Sequence, residues 1–332
     1  MLGEYFLPCS GDGADMTAAI EEKLKKYGVC MLGAGVYRVT GVKMPEGTSL
    51  MGVGNATKFL LDEGVENGVA LQVNSLCTVR DVAFFGAMEP IALPTEVGTR
   101  HGIGFLGTAT PEDCSGQPHN AVVSGCFFTS FTGGGITCTD TGYSSRCAMT
   151  VSDCHMENCG AGINISHFSE YHMFTNVLCH RCLYGCVNNG GNNRFVNCGF
   201  DSNVVGFLID NSRKQSINDS HGSVVGCSFN HSDGNKGIGI YLRRAKNGYS
   251  FTGCQLFFSK VVLEGSENIL FTGMNVGRKV EIHIDGGKLT MFTDCTFGAQ
   301  PDVIDVKDNA LVQFSNCYTK EGEPVGAQYR LN

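Results

Sequence analysis

One pattern of apolar and polar positions returns along most of the chain. An apolar residue and a spacer are followed by Gly, Asn or Asp, then Cys, a second spacer and another apolar residue. It reads Val123-Ser-Gly125-Cys126-Phe127-Phe128, then Val151-Ser-Asp153-Cys154-His155-Met156. From Cys198 it recurs at Cys227, Cys254, Met274, Cys295 and Cys317, at spacings of 29, 27, 20, 21 and 22 residues. A repeat of this length predicts a solenoid, in which each unit buries its apolar face only by stacking on its neighbours.

Each repeat has a second half, a Gly followed by alternating apolar residues. Examples are Gly135-Ile-Thr-Cys138, Gly162-Ile-Asn-Ile165, Gly206-Phe-Leu-Ile209 and Gly237-Ile-Gly-Ile-Tyr-Leu242. Strict alternation is a strand signal, so each coil is expected to hold three strands. The Gly, Asn or Asp before each Cys fits a sharp bend in left-handed backbone, which these residues tolerate best.

The chain opens with Gly11-Asp-Gly13 and a segment of roughly helical spacing through Ala18, Ala19, Leu24 and Tyr27, with Asp15 as its expected N-cap. A short strand at Val29–Leu32 and a Gly35-Val-Tyr37-Arg-Val39 strand follow. In this opening and in its repeat the chain resembles right-handed parallel β-helices of the pectate-lyase-like superfamily, phage tailspikes among them. The resemblance implies an all-β, three-sheet solenoid whose short N-terminal helix caps an end that would otherwise expose core and strand edges. It also implies that the Cys strand is the third sheet, and that the Gly-Φ-x-Φ strand is the first sheet, where family members hold their substrate groove. The whole chain, 1–332, then reads as one domain: a cap and entry strands over 1–40, coils over 41–318, and a polar tail over 319–332. An excursion at 86–120 holds four of the eight prolines and is interrupted by one strand at His101–Leu106. Loops of that length are usually functional or disordered.

With Ile209, Leu242, Leu263 and Ile284 facing inward, the next outward position reads Thr139, Ser166, Asn189, Asp210, Arg243, Glu264, Asp285 and Lys307. Strands about 4.8 Å apart would place Asp210 and Glu264 roughly 10 Å apart across Arg243, and Glu264 and Asp285 roughly 5 Å apart. Paired carboxylates at such distances suit glycoside hydrolysis. A carboxylate beside Arg also suits a polysaccharide lyase, in which a base removes a proton and a cation stabilises the developing charge. Asp210, Glu264 and Asp285 are therefore the candidate catalytic residues, set against the ordinary alternative of a solvated, alternately charged sheet face. Arg243 and Tyr241 beside them, with Glu170, His172, His221, His231 and Asp233 in neighbouring loops, are candidate substrate-binding residues. Outward Val187 and Leu208 are apolar and could mark a subunit interface of a homotrimer.

Composition narrows the partners. The net charge is −8 with no basic stripe, which argues against a nucleic-acid partner. No apolar run is long enough to span a membrane. The count of 17 cysteines is odd, and most fill one repeat position. That favours a ladder of buried thiols over disulfides or a metal site, although Cys179 and Cys182 have metal-like spacing. No metal or cofactor is expected. Free thiols and an opening without a basic-then-apolar signal fit folding in a reducing cytoplasm, and a virion tail component assembled there. The motifs that mark polygalacturonases are absent. A carbohydrate-cleaving β-helix, with an oligo- or polysaccharide as its partner, is the first expectation. A non-catalytic receptor-binding or structural tail protein is the second, and a bacterial sugar enzyme such as a fructotransferase the third.

Overall fold

The computed structural model describes residues 2–105, 119–138, 148–166, 169–212, 220–232, 237–307 and 310–326. An α-helix, Thr17–Tyr27, precedes a long stack of short strands. Its buried side chains are Ile20 and Leu24, and with Met16 they form a stripe at four-residue spacing that closes the end of the core. Ala18 faces solvent, contrary to the expected register. The expected cap is displaced by one residue. Met16 holds the N-cap position without a side-chain bond, while Asp15 just before it accepts from the Thr17 N–H at 2.9 Å. Gly28, in left-handed backbone at φ 72°, ends the helix.

The repeat then builds coils. Around Cys154 one coil runs through strand Thr150–Ser152, a bend, strand His155–Glu157, a turn and strand Ala161–Ile165. The third strands of successive coils form an eleven-stranded sheet whose described ladders run parallel, from Val42–Lys43 to Val303–Lys307. The strands before and after the bend pair with their equivalents and join in one sheet of 23 strands, since the bend between them is so tight. In the first coils the strands run on through the bend: Asp81, at φ 58°, stands at the bend position inside Thr78–Phe85, and Ser49–Leu61 pairs with that strand in irregular register. The strand inside the excursion spans Arg100–Gly104, two residues short of the expected end; 106–118 lie outside the described residues.

The bend explains the repeat motif. Gly125, Asp153, Asn197, Gly226, Gly253, Gly273, Asp294 and Asn316 all have φ between 53° and 64°. That conformation disfavours other side chains by roughly 1–2 kcal/mol. Adjacent bends are also tied by amide–carboxylate bonds, Asn176 to Asp153 at 2.7 Å and Asn316 to Asp294 at 2.6 Å. The cysteine that follows sits at the bend, just before the third-sheet strand, and its thiol donates to the carbonyl two residues earlier. The distances are 3.1 Å for Cys154, 3.5 Å for Cys227 and 3.4 Å for Cys317. A small apolar side chain with one weak donor thus fills the corner and adds a second bond to a carbonyl that already accepts the N–H of the neighbouring bend. The described cysteines are free thiols, and all but Cys9 are buried. Desolvation holds the thiols of Cys179 and Cys186 well above their ordinary pKa and Cys30 at about 11, so they stay protonated.

Inside the coils, equivalent side chains stack. Phe251, Phe271, Phe292 and Phe314 form a run with ring centroids 5.1, 4.6 and 4.6 Å apart and planes within 19°. Phe174 and Phe195 form a second stack at 4.9 Å. No helix among the described residues is long and apolar enough to cross a membrane.

Candidate functional site

The eleven-stranded sheet carries the outward row in the expected register. Asp210 pairs with Arg243, Arg243 with Glu264, Glu264 with Asp285, and Asp285 with Lys307. Each strand alternates, so Ile209, Leu242, Leu263 and Ile284 point into the core and the charged neighbours point out. Thr139 of that row lies outside the described residues.

Within the row the side chains touch. Arg243 Nε donates to Glu264 Oε2 at 2.8 Å, and Nη1 lies 3.5 Å from Asp210 Oδ2. Tyr241, two residues before Arg243 and on the same face, donates its hydroxyl to Glu264 Oε1 at 2.8 Å. Arg243 Nη2 donates to the same Tyr241 oxygen, and the guanidinium carbon lies 5.3 Å from the Tyr241 ring centre. Both oxygens of Glu264 are therefore held. Partial burial and the bond to Glu264 push the Tyr241 phenol above its ordinary range, and the bond to Glu264 raises Arg243 further. Tyr241 stays a neutral donor at physiological pH, and Arg243 stays charged.

Two open clefts flank this group. One, of about 430 Å³, is lined by Ser212, Arg243, Arg244, Glu264, Gly265 and Asp285. The other, of about 420 Å³, is bounded by Asn164, Tyr184, Val187, Asn189, Leu208 and Asp210, with Thr95, Glu96 and Val97 as its far wall. The excursion thus reaches back over the sheet and borders the groove. Asp210 lies in one cleft and its partner Arg243 in the other, so the two form one elongated, polar-lined trough. Val187 is 9% exposed and lines that trough with Leu208. The pair faces the excursion, which removes the reason for reading it as a bare subunit interface.

Other expected contacts are corrected by burial. Glu170, His172 and His231 are 7%, 1% and 5% exposed, out of reach of a bound polymer. His172 Nδ1 accepts from the Met149 N–H at 3.3 Å, and burial pushes its pKa down to about 3. His231 Nε2 lies 2.6 Å from the Asn203 carbonyl. Glu170 and half-buried His221 pack over Gly191, where an added Cβ would meet them at 3.0 and 2.7 Å. Asp233 lies outside the described residues.

The structure also adds a stripe that alternation could have supplied. In the next row of the same face, Glu281 Oε2 accepts from Lys260 Nζ at 2.7 Å and lies 3.2 Å from His283 Nε2. His283 Nδ1 lies 3.7 Å from Asp305, whose pKa is lowered chiefly by Lys307 at 3.0 Å. His283 shares a smaller hollow with Glu264 and Asp285. The excursion wall had no such signal, since nothing in its sequence fixes where a proline-rich loop will land.

No protein-family model matches the chain, and no curated protein matches it by sequence. Solved structures do match in shape. The A-module of the Azotobacter vinelandii mannuronan C-5 epimerase AlgE4 superposes with a TM-score of 0.71 at 13% identity, covering 97% of this chain and 95% of that one. The tailspike protein of Escherichia coli bacteriophage HK620, solved with a hexasaccharide, gives 0.63 at 11% identity, covering 97% and 64%. The catalytic unit of an α-1,3-glucanase from Streptomyces thermodiastaticus gives 0.62 at 13% identity, covering 92% and 66%. The chain thus spans nearly all of the epimerase module but only about two thirds of the other two. Identities this low speak for fold alone. With the parallel coils, they establish the fold as a right-handed parallel β-helix.

Proposed function

We propose that the protein binds an oligo- or polysaccharide along the trough of the eleven-stranded sheet and cleaves it. The observation that carries this reading is the row Asp210–Arg243–Glu264–Asp285, with Tyr241 bonded into it, between two open clefts. A sugar chain needs an extended surface, donors and acceptors for its hydroxyls, and paired acid and base groups at the scissile bond. The trough supplies each of these. The structural neighbours, a mannuronan epimerase, a glucanase and a tailspike solved with a hexasaccharide, point the same way.

In the hydrolytic form of this proposal, the bonds from Arg243 and Tyr241 hold Glu264 in place, and Glu264 is the base or nucleophile. Asp285, one strand beyond on the side away from Arg243, is the acid. Adjacent strands put their carboxylates about 5 Å apart, the spacing of a retaining mechanism. Asp210 then orients Arg243.

A specific contact favours a second form. Arg243 reaches Tyr241 and Glu264 together, so a uronate carboxylate drawn to the guanidinium would lie beside a phenol and a carboxylate able to move a proton. That is the equipment of a lyase. A homotrimeric place in a phage tail, with assembly in the host cytoplasm, fits either form.

Reducing-end release from a panel of neutral and uronic-acid glycans tests the proposal, with ultraviolet absorbance of unsaturated products separating lyase from hydrolase. Wild-type protein is expected to release ends, and Asp210→Asn and Glu264→Gln to lose that activity. Unchanged activity in both variants sinks the assignment of the site. Glycan binding without cleavage would make the protein a binding module.

A further inference from the structure

The outer face of the ladder formed by the strands that follow the bend carries a second cluster. In strand His155–Glu157, Met156 is wholly buried, so His155 and Glu157 both point outward. The next coil lays strand Leu178–His180 alongside in register, with Glu157 opposite His180. One ligand atom from each of His155, Glu157 and His180 lies within 4.8 Å of the others. His155 Nε2 is 3.7 Å from Glu157 Oε2, too far for a hydrogen bond. That nitrogen is buried and has no hydrogen-bond partner. Phe127, from the preceding coil, packs edge-on against the ring at 5.3 Å and shields it. A buried, unpartnered imidazole nitrogen is costly unless something fills its valence.

We infer that His155, Glu157 and His180 form a binding site for a divalent transition metal of the zinc class. Two imidazoles and one carboxylate are the donor set such ions select, whereas calcium and magnesium select oxygen alone. Tetrahedral coordination at about 2.0–2.1 Å separates ligand atoms by roughly 3.4 Å. The His155–Glu157 pair is already close to that. The cluster as a whole needs a contraction of up to about 1.4 Å, within reach of half-exposed side chains rotating about their χ angles. Three protein ligands leave a fourth position for water or an outside group.

The position assigns a role. The ligands come from two successive coils, so the ion would staple them together beside the backbone ladder and the Asn176–Asp153 bond that already join them. Asn158, the residue after Glu157, donates to the Ile91 carbonyl at 3.0 Å, so the proline-rich excursion is anchored at the site's edge. The same excursion forms the far wall of the trough. A metal here would stiffen both the coil pair and the root of that wall, without touching the groove residues. Its binding is independent of whether the trough cleaves sugar.

Titration of the metal-stripped protein with Co²⁺, followed by Zn²⁺ competition, tests it. The expected result is one ion per chain with the strong visible absorption of low-coordinate Co²⁺, and a rise in Tm with Zn²⁺ but not with Ca²⁺. His180→Ala and His155→Gln should each weaken binding at least tenfold and abolish the rise in Tm. Glu264→Gln should leave both intact. Far-ultraviolet circular dichroism confirms that the variants fold, as their half-exposed positions allow. Absence of stoichiometric Co²⁺ binding to the wild type overturns the inference. So does binding that survives in both histidine variants, or a Tm response to Ca²⁺ equal to that to Zn²⁺.

Discussion

Arg243 and Glu264, one strand apart on the outer face of the eleven-stranded sheet, are joined by a 2.8 Å bond from Nε to Oε2. The pair is half-exposed, with side chains 37% and 40% accessible. Exposed ion pairs contribute about 0–1 kcal/mol to stability. Arg243→Ala should therefore shift the urea midpoint little while reducing glycan cleavage on the order of 100-fold, as loss of a charge-stabilising group does. A large loss of stability with unchanged cleavage would make the pair structural.

Acid should weaken the fold through two buried histidines. His101 Nδ1 accepts from the Gly134 N–H at 2.7 Å, and His172 Nδ1 from Met149, contacts open only to the neutral ring. Burial lowers their pKa to about 4 and about 3. Below about pH 6.5 the unfolded chain takes up protons at these rings and the folded chain does not. The stability they permit is full above that pH. It is lost as pH falls from about 6.5 toward 4 for His101 and toward 3 for His172. Urea midpoints should be flat above neutrality and fall steadily below about pH 6, on the order of 2–3 kcal/mol per histidine by about pH 4. His101→Gln should flatten part of that slope.

The phenylalanine run should be the most sensitive core feature. Phe292 stacks at 4.6 Å on both Phe271 and Phe314. Phe292→Ala should cost about 3–5 kcal/mol by denaturant titration. Leu270, beside the run but 39% exposed, should cost less than about 0.5 kcal/mol as Leu270→Ala.

The bends should be selective for backbone rather than for charge. Asp294 has φ 55° and accepts from Asn316 at 2.6 Å. Asp294→Gly should be tolerated, whereas Asp294→Val should cost about 1–3 kcal/mol, since a β-branched residue there is strained. Equal costs for the two would show that the side-chain bond, not the dihedral, governs the site.

Thiol reactivity should follow burial. In native protein, iodoacetamide should reach Cys9, the one described cysteine not buried, well before Cys30, Cys179 or Cys186. Peptide mass spectrometry before and after denaturation checks the order. Prompt native labelling of Cys179 or Cys186 would contradict the packed ladder.

The sequence was most informative where one constraint repeats. The left-handed bend restricts its residue to Gly, Asn or Asp in every coil that carries the motif, so it marks the coil and fixes which face each neighbour occupies. That is why the repeat alone aligns Asp210, Arg243, Glu264 and Asp285. Loops carry no such ruler. Glu170, His172 and His231 looked like groove residues because they are polar and lie between strands, yet the chain folds them inward, where the two histidines meet backbone groups at the corners. The far wall at Thr95–Val97 was hidden for the converse reason, since a long connection can land on any face. The His155, Glu157 and His180 cluster was present as spacing, two residues and then one 23-residue coil. It becomes visible only once the coil length at that point is known.

The most direct test of the central claim is a crystal structure of Glu264→Gln soaked with an oligosaccharide that the wild type cleaves or binds. Sugar density is expected along the eleven-stranded sheet, crossing Asp210, Arg243 and Asp285 with the 95–97 segment as one wall. Density confined to another face, with the trough left to solvent, would contradict the assignment.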